Sequence, residues 1–178
     1  CCGSLPPGLP PDLYAAIGGM AREAGARFVP DCDTPPLRFA ADAGCDLLVP
    51  NHHEAGRLLG KELEEGDVVA AARVATELLA RGPAAVAITL GAAGAVLATP
   101  HGAWHAAAPP VRDGSAVGAG DAFLAGLLAA MEAGAEPPEA LRAAVAAGTA
   151  TLLADGADLL RRADYDALLP TVTIRRVG

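Results

Sequence analysis

Apolar residues in this chain fall into blocks whose spacing switches repeatedly between the helical and the extended period. Asp12 follows Pro10 and Pro11 and leads an apolar-periodic run to Ala24, with Gly25 after it. Proline in the first turn and glycine past the end predict a helix there. A short strand is expected at Arg27 to Pro30, and a short helix from Leu37 to Ala43 ending at Gly44. Asp46 to Val49 is a compact apolar segment of the kind that suits a buried parallel strand. Helices follow from about His52 to Leu59, closed by Gly60, and from Val68 to Ala80, entered through Asp67 and closed by Gly82. Ala84 to Thr89 reads as a strand running into Gly91 and Gly94, and Val96 to Thr99 with Trp104 to Ala107 as a strand pair. After the break at Pro109 and Pro110, two Ala/Leu-rich helices are expected over Asp121 to Ala133 and Glu139 to Leu153.

Alternating strands and helices predict an α/β domain with a mainly parallel sheet between helical layers. The 178 residues suffice for one substantial core, and neither a repeat nor a low-complexity linker divides them. Hydrophobic residues make up 52% but aromatics only 3%, so Ala, Val and Leu must fill that core, which favours helices lying close on a sheet. The 21 glycines and 15 prolines punctuate the elements rather than signal disorder.

Charge removes one class of function. A formal net charge of -8 opposes nonspecific binding to nucleic acid, which needs a basic footprint. It leaves ATP open as a ligand, because a metal ion, backbone N–H groups and a helix N-terminus supply positive potential locally. Cys1, Cys2, Cys32 and Cys45 form neither C-x-x-C nor metal-finger spacing, so reduced thiols are expected. No run of about 20 uninterrupted apolar residues predicts a membrane span, and the opening lacks a signal-peptide pattern. The chain starts on Cys and enters the turn-like Gly3-Ser4-Leu5-Pro6-Pro7-Gly8 at once, so a fragment is expected.

The richest chemistry lies in Ser115-Ala116-Val117-Gly118-Ala119-Gly120-Asp121-Ala122-Phe123, at the mouth of a predicted helix. Glycines there let a ligand approach the backbone, and free N–H groups at the positive end of the helix can bind phosphate. An aspartate in a first helical turn is equally a common stabilising choice. G-x-G-x-x-G would need glycine at Phe123, so a dinucleotide-binding reading drops; no G-x-x-x-x-G-K-[ST] occurs, and the single lysine, Lys61, lies far from such a loop.

Three further segments complete the pattern. Val49-Pro50-Asn51-His52-His53-Glu54 carries Asn-x-x-Glu at a helix start, which on its own reads as a capping box. Thr89-Leu90-Gly91-Ala92-Ala93-Gly94 is a turn after a strand, and any hairpin can hold a lone G-x-x-G. Ala144 to Gly148 and Gly156-Ala157, taken alone, are ordinary helix packing and a turn. In this order the four segments resemble the PfkB/ribokinase-type carbohydrate kinases, with their P-N-x-x-E, S/T-x-G-x-x-G and G-[AS]-G-D motifs.

That resemblance implies a ribokinase-like three-layer α/β/α sandwich, with the whole chain, 1–178, as a partial PfkB-type domain. It corresponds to the latter, nucleotide-binding portion of a family member, lacking the early part with its small β-sheet lid and most sugar contacts. It implies Asp121 as catalytic base and Gly118, Ala119 and Gly120 as an anion hole. It also implies Asn51 and Glu54 as organisers of Mg2+, and Asn51, Thr89, Gly91, Gly94, Gly120, Val145 and Gly148 as the ATP site. Gly3 to Gly8, Asp31-Cys32-Asp33-Thr34 and Ser115-Ala116-Val117 are similar to the hexose-phosphate kinase branch, which includes 1-phosphofructokinase and tagatose-6-phosphate kinase. Ser115 replaces the aspartate of the ribokinase branch's monovalent-cation site, and Val49 replaces a lysine common before Pro-Asn.

The expected partners are ATP and a sugar or sugar phosphate, with no nucleic acid and no membrane, in a cytoplasmic protein for which a homodimer stays open. Two alternatives stand beside the kinase: a nucleotide-binding module without turnover, and a structural α/β domain whose glycines are helix ends. His52, His53, His101 and His105 are expected in surface or capping roles, and Arg161, Arg162, Arg175 and Arg176 as solvated charge.

Overall fold

The computed structural model describes residues 1–111, 115–154 and 160–178. Helices α1 (Leu13–Glu23), α2 (Pro36–Asp42), α3 (His52–Leu59) and α4 (Val68–Leu79) precede strand β1 (Val86–Thr89). A 3-10 turn at Gly91–Ala93 leads to β2 (Ala95–Thr99) and β3 (Gly102–Ala107). Helices α5 (Ala119–Glu132), α6 (Pro137–Thr151) and α7 (Arg162–Leu168) follow, and β4 (Thr173–Val177) comes last.

The four strands lie in the order β1-β2-β3-β4, and every ladder between them is antiparallel. Among the described residues the expected parallel pairing survives only as isolated bridges, Cys2 with Asp31, Leu48 with Val86 and Asn51 with Thr89. The sheet is therefore mixed: the extended segment near residues 46–51 runs parallel to β1, and residue 2 pairs in parallel with residue 31, but these contacts are single bridges rather than regular ladders. Pro30 and Pro50 contribute, since proline brings no backbone N–H to a ladder.

Alternation along the strands explains the layers. Val86, Ile88, Val96, Ala98 and Ala103 pack with α1 to α4, whereas Ala87, Ala95, Leu97 and Ala106 pack with α5 and α6. Because both faces are covered, the strands read as continuous small apolar runs rather than as an apolar-polar alternation. The three-layer α/β/α sandwich expected from sequence is thus present. Small residues let its layers close: a Cβ on Gly126 of α5 would stand 2.9 Å from the Cβ of Ala147 on α6.

Side-chain caps open α3 and α4. The Asp67 side chain accepts from the Ala70 N–H at 2.9 Å and opens α4. Among the described residues no helix is long and apolar enough to cross a membrane, and the four cysteines are free, with Cys32 and Cys45 buried.

Two elements were not expected, α7 and β4. The arginines read as solvated charge organise them: Arg162 pairs with Asp166 one turn on, and Arg176 lies over the Trp104 ring while donating to the His101 carbonyl. His105 also departs from its expected surface role, being only 6% exposed inside β3.

Candidate active site

The helix α5 begins where Gly118 takes φ +80°, a left-handed conformation that an L side chain adopts only under strain. Ser115 prepares the turn, its Oγ accepting from the Val117 N–H at 3.4 Å. The Ala122 N–H makes the first helical bond, to the Gly118 carbonyl at 2.9 Å. The Ala119 N–H is turned to the Ala116 carbonyl at 3.2 Å. Among the described residues, the N–H groups of Gly118, Gly120 and Asp121 reach no acceptor at this mouth, as orphan donors do at a helix start. Of the expected donors Gly118, Ala119 and Gly120, Ala119 is the one whose N–H is already bonded among the described residues.

A cleft of about 630 Å3 opens beside that helix start. Thr89, Gly91 and Gly94 form one wall, Ala119 and Gly120 the mouth, and Val145 with Gly148 the wall opposite. The turn after β1 and helices α5 and α6, with lining residues up to 63 positions apart in sequence, thus meet there, and the volume is within the size range of small-molecule sites. Gly94 carries φ +91°, and a Cβ on it would sit 2.0 Å from the Ala106 carbonyl oxygen. Only glycine lets the turn after β1 lie this close to β3. A second hollow, about 600 Å3, lies at the other ends of the extended segments, between Arg22, Phe28 and Gly44, and gathers none of the motif residues.

Asn51 and Glu54 do not line the cleft, but the bridge from Asn51 to Thr89 sets them at its edge. They form a full capping box. Asn51 Oδ1 accepts from the Glu54 N–H at 2.9 Å, and Glu54 Oε2 accepts from the Asn51 N–H at 2.9 Å. The capping reading therefore holds, and it leaves Oε1 of Glu54 without a hydrogen bond among the described residues. No three His, Cys, Asp or Glu residues gather to hold a metal directly among the described residues. That donor set still fits Mg2+, which keeps much of its water and takes one or two carboxylates plus substrate phosphates.

Asp121 is exposed at the helix mouth. Its electrostatic neighbour is Asp31, whose carboxyl is pushed above its ordinary range by burial first and then by the Asp121 charge. The sequence pattern placed Asp31 only in a segment of branch resemblance; its approach to Asp121 comes from the bridge that docks residues 29–31 beside residue 2 and left no local signal. Cys32 next to it is held as a thiol, burial and the Asp31 charge pushing it up to about 12. Phe123, Thr149 and Leu152 also line the cleft, and Pro109, Pro110 and Val111 form its lip. These were missed because each reads locally as packing or a chain break. Gly156 and Ala157 lie outside the described residues.

The model of the pfkB family carbohydrate kinases matches residues 1–162. A 1-phosphofructokinase of Rhodobacter capsulatus is 38% identical over 174 residues, 98% of this chain and 54% of the relative. A D-tagatose-1-phosphate kinase of Bacillus licheniformis is 32% identical over 93% of this chain and 54% of its own length. The crystal structure of phosphofructokinase-2 from Escherichia coli in complex with substrates and products superposes with a TM-score of 0.86 at 30% identity, covering 95% of this chain and 55% of that one. The chain spans about half the length of the curated relatives it matches. With the fold, the ordered motifs and a family match over most of its residues in agreement, the chain belongs to the pfkB family of carbohydrate kinases.

Proposed function

We propose that the intact protein transfers the γ-phosphoryl group of ATP to a hydroxyl of a sugar phosphate, and that this chain supplies the nucleotide cradle and the catalytic base. The observation that carries the reading is the convergence of the 89–94 turn, the open N-terminus of α5 and the α6 wall on one cleft. Cleft walls of small and apolar residues suit a flat base, and the helix mouth suits phosphate.

In this reading the Asp121 carboxylate accepts the proton of the sugar hydroxyl as its oxygen bonds to the γ-phosphorus. The bond from that phosphorus to the β,γ-bridging oxygen breaks, and ADP leaves. The free N–H groups of Gly118, Gly120 and Asp121 stabilise charge on the transferred group. Ala119 joins them only by releasing its bond to Ala116. Glu54, and Asn51 through water, would hold Mg2+, which neutralises phosphate charge when bound. The Asp121 charge, after burial, disfavours a full negative charge on Asp31.

The test is ADP release by the intact gene product with Mg-ATP and a panel of fructose 1-phosphate, fructose 6-phosphate, tagatose 1-phosphate and tagatose 6-phosphate. Turnover on one sugar, falling on the order of 10²- to 10⁴-fold in Asp121→Asn, is expected. ATP binding without turnover on any sugar would replace the reading with that of a nucleotide-binding module.

A further inference from the structure

His105 is a buried ionisable side chain that the phosphoryl-transfer reading leaves unused. In β3 it stands opposite Val96 of β2 and Arg175 of β4. Its Nε2 lies 2.8 Å from the Ala93 carbonyl oxygen, and the Nε of Arg175 lies 3.4 Å from its Nδ1. A carbonyl oxygen only accepts and a guanidinium only donates. The two neighbours therefore select one form of the ring, with the proton on Nε2 and a lone pair on Nδ1.

Ala93 ends the 3-10 turn whose other residues, Gly91 and Ala92, line the nucleotide cleft together with Gly94. Glu65 Oε1 also accepts from the Ala92 N–H at 3.2 Å. The turn is thus held at two adjacent residues by side chains that lie outside the motif itself. We propose that His105 is a positioning residue for ATP binding: its Nε2–H holds the Gly91–Gly94 turn against the cleft, and Arg175, from the terminal strand, selects the tautomer that does so. This rests on reading the cleft as the ATP site.

A histidine kept for packing alone would lower stability without separating the two substrates. The experiment uses the intact gene product and measures Mg-ATP binding by calorimetry together with KM for ATP and for the sugar phosphate. His105→Leu is expected to weaken Mg-ATP about five- to tenfold, the loss of one net hydrogen bond, with the sugar KM unmoved. His105→Gln, which returns an N–H near the Nε2 position, recovers most of that loss. Arg175→Leu, at an exposed position, weakens ATP about two- to threefold because the Nδ1–H tautomer is no longer excluded.

Unchanged ATP affinity in His105→Leu, or equal impairment of the Leu and Gln variants, overturns the proposal. Should the Leu variant fail to fold, the long-range 1H–15N imidazole spectrum of the wild type decides: Nε2–H supports the positioning role and Nδ1–H overturns it. A wild type that does not bind Mg-ATP sinks the ATP reading and this inference with it, whereas binding that His105 variants leave unchanged sinks this inference alone.

Discussion

Gly120→Ala separates a glycine kept for the fold from one kept for a ligand. Gly120 is the second residue of α5, its φ is not in the left-handed region, and a Cβ built on it meets no heavy atom within 4 Å. The folded chain therefore has room for alanine, and a Gly-to-Ala change inside a helix stabilises by roughly 0.5–1 kcal/mol, less at a first turn. Gly120 also lines the cleft at the helix mouth, where an anion is expected to come within contact of the backbone and the methyl would take up that space. Overfilling such a contact costs about 1–3 kcal/mol, equivalent to roughly 5- to 150-fold in kcat/KM for ATP. The assay pairs urea denaturation of the intact protein with steady-state kinetics at varied Mg-ATP. A more stable and slower enzyme is the expected result; a destabilised one, or one with native kcat/KM, would refute the assignment of this helix mouth to phosphate.

The other glycine at the cleft behaves oppositely: Gly94→Ala combines positive φ with a Cβ 2.0 Å from the Ala106 oxygen, so a loss of at least about 2 kcal/mol is expected by denaturant unfolding. Asn51→Ala should cost about 1 kcal/mol by opening the capping box, and Asn51→Ser should return most of it. Glu54→Gln keeps an acceptor for the cap and loses only the charge, worth about 0.3–1 kcal/mol, yet it should raise the Mg2+ concentration needed for half-maximal rate; an unchanged Mg2+ titration would leave Glu54 as a cap only. For Asp31, whose folded value is raised, stability is full below the ordinary value of 3.8 and declines as pH rises through the folded value, so Asp31→Asn should stabilise the protein at pH 7 and flatten its decline above pH 4, read by unfolding at both.

How far the sequence could be read depended on the range of the interactions. Helices α3 and α4 were legible almost to the residue because their signals are local: Asn51 and Asp67 accept from N–H groups three residues ahead, and Gly60 stops α3 with φ +65°. The motif glycines and Thr89 were legible for a similar reason, since a turn after a strand and a helix mouth each impose their own residue types. The parallel half of the sheet was overstated, because an apolar run such as Asp46 to Val49 declares that it is buried and extended but not how many ladder bonds its neighbours return. Strand β4 was missed although Thr173, Ile174 and Val177 have the right side chains; two adjacent arginines outweighed them, and their partners His101 and His105 lie 70 or more residues away.

Asp31 and His105 show the remaining limit, and it is one of chemistry rather than of distance alone. A carboxylate acquires an unusual environment only when another charge approaches it, and a histidine acquires a tautomer only when a donor and an acceptor take its two nitrogens. Asp121 does the first, 90 residues from Asp31, and Ala93 of the 3-10 turn with Arg175 of β4 does the second. Motif segments that bind ligand through backbone atoms carry their function in their own composition. The side chains that hold those segments in place take theirs from partners, so they become visible only when the sheet is assembled. For this chain, that places its least legible residues one contact behind the cleft, with His105 bonded to the carbonyl of a turn whose outer face is the proposed nucleotide site.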